Sequence, residues 1–230
     1  MNTNDFGARL ALALDASVSV WSAPANGARL GGDWCEAFAI SEDELALTVG
    51  DVAGHGEAAN GTMVAMRSSL VQALWDIRVP SEVLSIANDI ALARGEDLIV
   101  TAIAGFVNYR LRTLTFANAG HPPPLLLSAE HLAFLEHGPA NLPLGVFPKH
   151  RAADYAITLP PDAMLVLYTD GITEHDRDPI NGQIELGDAA RRVFDRQEAD
   201  AALAISQLTL RKPHGRDDAT AMVLRPRFPR

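Results

Sequence analysis

The sequence predicts an α+β fold with largely antiparallel sheets and helices layered over sheet. Three observations carry this: strand-like runs are grouped rather than alternating with helices, two helical segments stand side by side, and neighbouring strands are joined by turn-like sequences. Regular alternation would instead argue for a doubly wound parallel sheet. The 230 residues contain no internal repeat, low-complexity tract or long linker, so residues 1–230 are expected to form one domain. A chain of this length can bury a sufficient core without disulfides, and its single cysteine, Cys35, has no partner in the chain.

The elements follow in order. Val18–Trp21, Phe38–Ile40 and Leu45–Val49 are short apolar runs that read as strands. Ala59, Met63, Met66, Leu70 and Leu74 then recur every three or four residues and predict a helix over Ala58–Asp76. Val83, Ala87, Ile90 and Arg94 repeat the spacing less perfectly over Pro80–Arg94, with Ser81 the expected N-cap. The short Pro-containing turn between these helices favours antiparallel packing. Strands are expected next at Ile99–Val107, Thr113–Phe116, Pro124–Ser128 and Met164–Tyr168, with the turn Asn118-Ala-Gly-His among them. Helices near Glu185–Phe194 and Glu198–Leu210 precede a last strand at Ala219–Leu224.

Nineteen Lys and Arg against 29 Asp and Glu give a formal charge of −10. That balance argues against a duplex nucleic-acid binder or a surface binder of anionic lipid. The longest apolar stretches, Ile99–Val107 and Ala163–Tyr168, fall well short of the ~20 residues a membrane-spanning helix needs. Asp15 interrupts the N-terminal apolar run Leu10–Leu14, and no basic cluster precedes it, unlike a secretory signal. A cytoplasmic protein without nucleic-acid or membrane partners is therefore expected. Arg225, Arg227 and Arg230 form a basic end that reads as a solvated tail.

Four acidic sites stand where a strand runs into a glycine-containing turn: Asp33 in GARLGGDWCEAF, Asp51 in LALTVGDVAGHG, Asp170 in MLVLYTDGITE, and Asp217 with Asp218 in HGRDDATAMVL. Any one of them is explained by turn chemistry alone. Four in one chain suggest carboxylates gathered at the rim of a sheet, where they would repel one another unless cations neutralised them. Carboxylate and carbonyl oxygens are the ligand set of Mg²⁺ and Mn²⁺. A zinc site has little support, because there is one cysteine and the seven histidines show no paired spacing. Gly50–Gly56 resembles a nucleotide loop only superficially, since it lacks the Lys-Ser/Thr ending of a P-loop.

GGDWCEAF, GDVAGHGEAA, NAGHPPPLLL, LPLGV, LYTDGITE and GRDDATAMVL, in this order, place the catalytic motifs within residues 31–224. Together they resemble the SpoIIE-type branch of the metal-dependent (PPM) protein serine/threonine phosphatases. The resemblance implies a sandwich of two antiparallel β-sheets flanked by helices, with two Mn²⁺ or Mg²⁺ ions at one end. By motif, Asp51 matches the carboxylate shared by both ions, with the Val52 backbone carbonyl beside it. Asp33, Asp170 and Asp217 match the remaining ligands, and Asp218 matches a group that orients water or a neighbouring ligand. The chain departs from the pattern after Asp33, where members carry an aromatic pair and a further Asp and this chain has Trp34, Cys35 and Glu36. Glu36 keeps the charge on a longer arm and is a candidate for holding a water rather than an ion. Cys35 reads as a small apolar residue, because a cysteine phosphatase needs a phosphate-cradling loop with arginine after the thiol.

The implied reaction is phosphomonoester hydrolysis, in which a water bridging ions about 3.5–4 Å apart attacks phosphorus in line. His55 or a water would protonate the leaving oxygen. Between Gly54 and Gly56, His55 suits a structural role in the loop equally well. Asn118 and His121 read as a hydrogen-bonded corner joining two strands. The expected substrate is a phosphorylated regulatory protein of the anti-anti-sigma (STAS) type. Two other classes stay open: a signalling module that binds such a regulator without turnover, and a dinuclear hydrolase of small phosphoesters. The segments before Asp33 and after Leu224 are too short to hold an added sensor domain, so control is expected from a partner, from metal supply or from domains outside the chain.

Overall fold

The computed structural model describes residues 16–25, 28, 30–54, 56–95, 98–136, 142–148, 152–174, 178–210 and 217–228. Within them ten strands form two five-stranded sheets, and every pairing is antiparallel. One sheet has the order β1 (Ala16–Ala23), β10 (Ala219–Pro226), β9 (Met164–Tyr168), β6 (Leu125–Leu127), β7 (Leu132–Phe134). The other runs β2 (Trp34–Ala39), β3 (Glu44–Val52), β4 (Val100–Asn108), β5 (Thr113–Ala119), β8 (Tyr155–Thr158). Helices α1 (Gly56–Asp76) and α2 (Pro80–Arg94) cover the β2–β8 sheet, and α3 (Pro179–Arg196) and α4 (Ala201–Thr209) cover the β1–β7 sheet. This is the αββα sandwich that the motifs implied.

The strands explain the layering. Along β3, Leu45, Leu47 and Val49 point into the core between the sheets, while Ala46 faces α1 and α2. β4 divides likewise, with Ile103 and Val107 inward and Ala102, Ala104 and Phe106 under the helices. Side chains alternate across a strand, so both faces must be apolar when both are covered, and small residues on the outer face let the helices close down. On the second sheet Leu165, Leu167, Met222 and Leu224 fill the inter-sheet core, and Met164, Val166, Ala221 and Val223 lie beneath α3 and α4.

The structure departs from the sequence expectations in several places. Ser81 is not the N-cap of α2. Val79 occupies that position without a side-chain bond, and Pro80, whose missing N–H costs nothing there, begins the helix. Ser81 lies in the first turn, where its N–H and hydroxyl both donate to Asp154, each at 2.7 Å. β7 and β8, which the sequence does not predict, are short edge strands paired, among the described residues, only with β6 and β5. α3 starts six residues before Glu185, at Pro179, capped by Asp178 accepting from the Asn181 N–H, and α4 starts after Asp200, which caps it through the Leu203 N–H. Arg225 is no tail residue. It sits on β10 and donates to the Val193 and Glu198 carbonyls at the end of α3. The Leu10–Leu14 run and Arg230 lie outside the described residues. Among the described residues no helix is long and apolar enough to cross a membrane.

Candidate metal centre

The acidic turns of both sheets meet at one end of the sandwich. Asp33 precedes β2, and Asp51 lies near the end of β3, paired with Thr101. Asp170 opens a 3₁₀ turn immediately after β9, and Asp217 and Asp218 precede β10. Two sheets, each ending in carboxylates at the same edge of the sandwich, thus bring together groups far apart in sequence.

The electrostatics record the proximity. Burial, then the charge of Asp51, pushes Asp33 from an ordinary pKa of 3.8 up to about 8, against the opposing Thr169 hydroxyl. Burial, followed by the charges of Asp170 and Asp217, raises Asp51 to about 7. Asp170 reaches about 6 through burial and then the charges of Asp217 and Glu174. Each carboxylate therefore makes its neighbours harder to ionise, as expected of groups that share one small region.

The finer contacts divide the roles. Asp218 is buried, and both its oxygens accept backbone N–H groups, from Ala25 at 2.7 Å and Gly32 at 2.6 Å. It therefore pins the turn that carries Asp33. Asp33 Oδ2 accepts from the Thr169 hydroxyl at 2.7 Å, whereas the buried Oδ1 has no hydrogen-bond partner. A buried oxygen left unpaired is costly, and one in a carboxylate cluster has the chemistry of a cation ligand. A Cβ on Gly32 would stand 2.7 Å from the Val52 carbonyl oxygen and 3.6 Å from Asp51 Oδ1. Glycine there keeps open the space beside two further oxygen donors. Hard oxygen donors, crowded charge and an orphaned buried oxygen fit a divalent cation such as Mg²⁺ or Mn²⁺. Among the described residues, no three His, Cys, Asp or Glu side chains close on one point as a finished cation cage. The carboxylates are grouped but spread, as like charges are.

Other sequence candidates fall elsewhere. Glu36 faces Arg67 on α1 at 3.3 Å, and burial raises its pKa while that guanidinium opposes the rise. Cys35 packs against the inter-sheet core, and burial pushes its thiol far up, in keeping with an apolar role. His55 lies outside the described residues. Asn118 and His121 do form a corner, with Asn118 Nδ2 donating to the His121 carbonyl and the His121 N–H donating to Asn118 Oδ1, both at 2.8 Å.

That corner also does something the sequence did not reveal: it carries the chain from the β5 sheet to the β6 sheet. The His121 ring then bridges them, from Thr101 Oγ1 on β4 at 2.8 Å to the Tyr168 carbonyl on β9 at 3.0 Å. The carbonyl can only accept, so Nε2 carries the proton and Nδ1 accepts from the hydroxyl. Burial lowers this histidine to about 3, which keeps it neutral. Thr169 was missed, although a polar residue ending the apolar run MLVLY was a visible signal. Beside the centre lies a cavity of about 310 Å³, lined in part by Asp51, Asp170, His121, Tyr168 and Glu174.

Comparison with known proteins agrees with this architecture. Residues 41–227 match the family model described as Stage II sporulation protein E (SpoIIE). The phosphoserine phosphatase RsbU of Bacillus subtilis is 26% identical over 205 residues, covering 86% of this chain and 60% of RsbU. Protein IcfG of Synechocystis is 26% identical over 174 residues, covering 62% of this chain and 27% of IcfG. The chain thus spans less than two thirds of either relative. The crystal structure of the RsbU and RsbW domains of Rv1364c from Mycobacterium tuberculosis superposes with a TM-score of 0.83 at 26% identity, over 94% of this chain and 61% of that one. From the motifs, the αββα sandwich and the matched residues together, the chain belongs to the SpoIIE family.

Proposed function

We propose that this chain is a cytoplasmic, single-domain phosphatase that removes phosphate from serine or threonine of a small regulatory protein of the anti-anti-sigma (STAS) type, using two Mn²⁺ or Mg²⁺ ions. The observation that carries the reading is the meeting of Asp33, Asp51, Asp170 and Asp217 beside an open cavity, with burial and then neighbouring charge raising the proton affinities of Asp33, Asp51 and Asp170. These four carboxylates and the Val52 carbonyl are the groups that would hold the ions. Bound there, divalent ions supply charge neutralisation for a phosphoryl group and the acidity that makes water a nucleophile.

The chain's own residues do the rest. Asp218 fixes the Gly32 turn, so that Asp33 and the Val52 carbonyl keep their places. His121 ties the two sheets beside the cavity, and its neutral, doubly bonded ring leaves no nitrogen free for proton transfer. The Cys35 thiol, partly buried against the inter-sheet core, stays protonated, which disfavours covalent catalysis. The likeness to RsbU, a phosphoserine phosphatase, supports phosphoserine as substrate, and the pairing of RsbU and RsbW domains in Rv1364c supports a regulatory protein partner.

The test is phosphate release from a phosphorylated STAS protein and, separately, from p-nitrophenyl phosphate, each with Mn²⁺ and with chelator. Release from the phosphoprotein that requires Mn²⁺ and disappears in Asp170→Ala is the expected result. Tight metal binding without release from any phosphoprotein would replace the proposal with a regulator-binding module. Activity confined to the small ester would point to a phosphoesterase instead.

A further inference from the structure

We infer that Thr169 is a positioning residue that holds one oxygen of Asp33 so that the other is presented to the cation. The inference rests on the reading of Asp33 as a cation ligand and adds the residue that aims it. Thr169 is fully buried between the end of β9 and the start of β10. Its hydroxyl oxygen accepts the Thr220 N–H at 2.8 Å, and the Thr169 N–H donates to the Thr220 carbonyl at 3.0 Å. With that lone pair engaged, the single hydroxyl proton has two acceptors within reach, Asp33 Oδ2 at 2.7 Å and the Thr220 carbonyl at 3.5 Å. The shorter contact, at 2.7 Å against 3.5 Å, is much the stronger.

The consequence concerns orientation. Left alone, an aspartate carboxylate can turn about its last bond and exchange its two oxygens. The Thr169 hydroxyl, itself fixed by Thr220, binds Oδ2 and thereby leaves Oδ1 as the oxygen without a protein partner. Thr169 belongs to the β9 sheet and Asp33 to the β2 sheet, so the bond also sets one sheet's ligand against the other's. The next residue is Asp170. One short segment after β9 thus contributes its own carboxylate and aims the carboxylate of the opposite sheet.

The test is Mn²⁺ titration by calorimetry on the full chain and on Thr169→Ser, Thr169→Val and Thr169→Cys, with thermal unfolding measured in chelator alongside. Groups that orient a metal ligand are typically worth about 10- to 100-fold in affinity, so Thr169→Val should lose about that much, while Thr169→Ser, which keeps the hydroxyl, should stay within about threefold of the parent. Thr169→Cys keeps the volume with a weak donor and should fall between them; it carries the test if the valine variant does not fold. Unchanged Mn²⁺ affinity in Thr169→Val or Thr169→Cys, whether or not unfolding shifts, overturns the inference while leaving the metal centre intact. A parent that binds no Mn²⁺ overturns both.

Discussion

Replacing Asp33 by asparagine should make the metal-free protein more stable while removing its activity. Asp33 titrates at about 8 in the fold against an ordinary 3.8, so the folded state holds a proton that the unfolded chain releases. Stability is therefore lost as pH rises from about 4 to about 8. At 1.36 kcal/mol per pH unit the cost of this group is on the order of 5 kcal/mol at pH 8, and on the order of 2 kcal/mol at pH 5. Asparagine cannot ionise. Its amide oxygen can keep the Thr169 bond, but its NH₂ must take the place of the unpartnered Oδ1, for which about 2 kcal/mol is a fair charge.

The difference leaves Asp33→Asn more stable by about 3 kcal/mol at pH 8 in chelator, which is roughly 6–12 °C for a domain of this size. At pH 5 the advantage should vanish. With saturating Mn²⁺ it should reverse, because cation binding stabilises only the form that retains the ligand. Thermal unfolding of parent and variant at both pH values, with and without Mn²⁺, reads all three conditions. A variant less stable than the parent in chelator at pH 8 would refute the claim that burial and crowded charge govern this carboxylate.

Two further substitutions probe the frame of the site. In Gly171→Ala the new Cβ would stand 2.0 Å from the Asp218 carbonyl oxygen, so the turns bearing Asp170 and Asp218 must separate; a loss of about 1–3 kcal/mol in denaturant unfolding and a fall in Mn²⁺ affinity are expected. His121→Phe leaves the Tyr168 carbonyl and the Thr101 hydroxyl without their shared partner and should cost about 2–4 kcal/mol by the same measurement. In the parent, His121 titrates at about 3, below its ordinary 6.5, so its contribution to stability is present above pH 6.5 and is lost as pH falls toward 3. An NMR titration should accordingly show the His121 ring neutral at pH 5.

Much of the site was legible in the sequence because its signals are local. Asp-Gly or Gly-Asp beside an apolar run marks a strand, a turn and a carboxylate at once; Asp51 and Asp170 carry that mark at the end of β3 and just after β9, whereas Asp33 and Asp217 stand before β2 and β10 rather than after a strand as the sequence predicts. Glu36 carried the same charge, but its partner Arg67 lies on a helix thirty-one residues away, so nothing nearby distinguished a salt bridge from a site residue. β7 and β8 were missed for a related reason: they are strands chiefly because β6 and β5 offer them open edges.

The sequence by itself determined the α+β class, the major strands and helices, and which carboxylates adjoin strands, since side-chain alternation, helical spacing and turn chemistry act over a few residues. Only the tertiary structure decided what each of those carboxylates is bonded to. The Thr169–Asp33 bond spans 136 positions in the chain and the Gly32–Asp218 bond 186. Both exist because two sheets stack face to face with their acidic ends together, and no local pattern encodes which oxygen is bonded and which is left unpartnered.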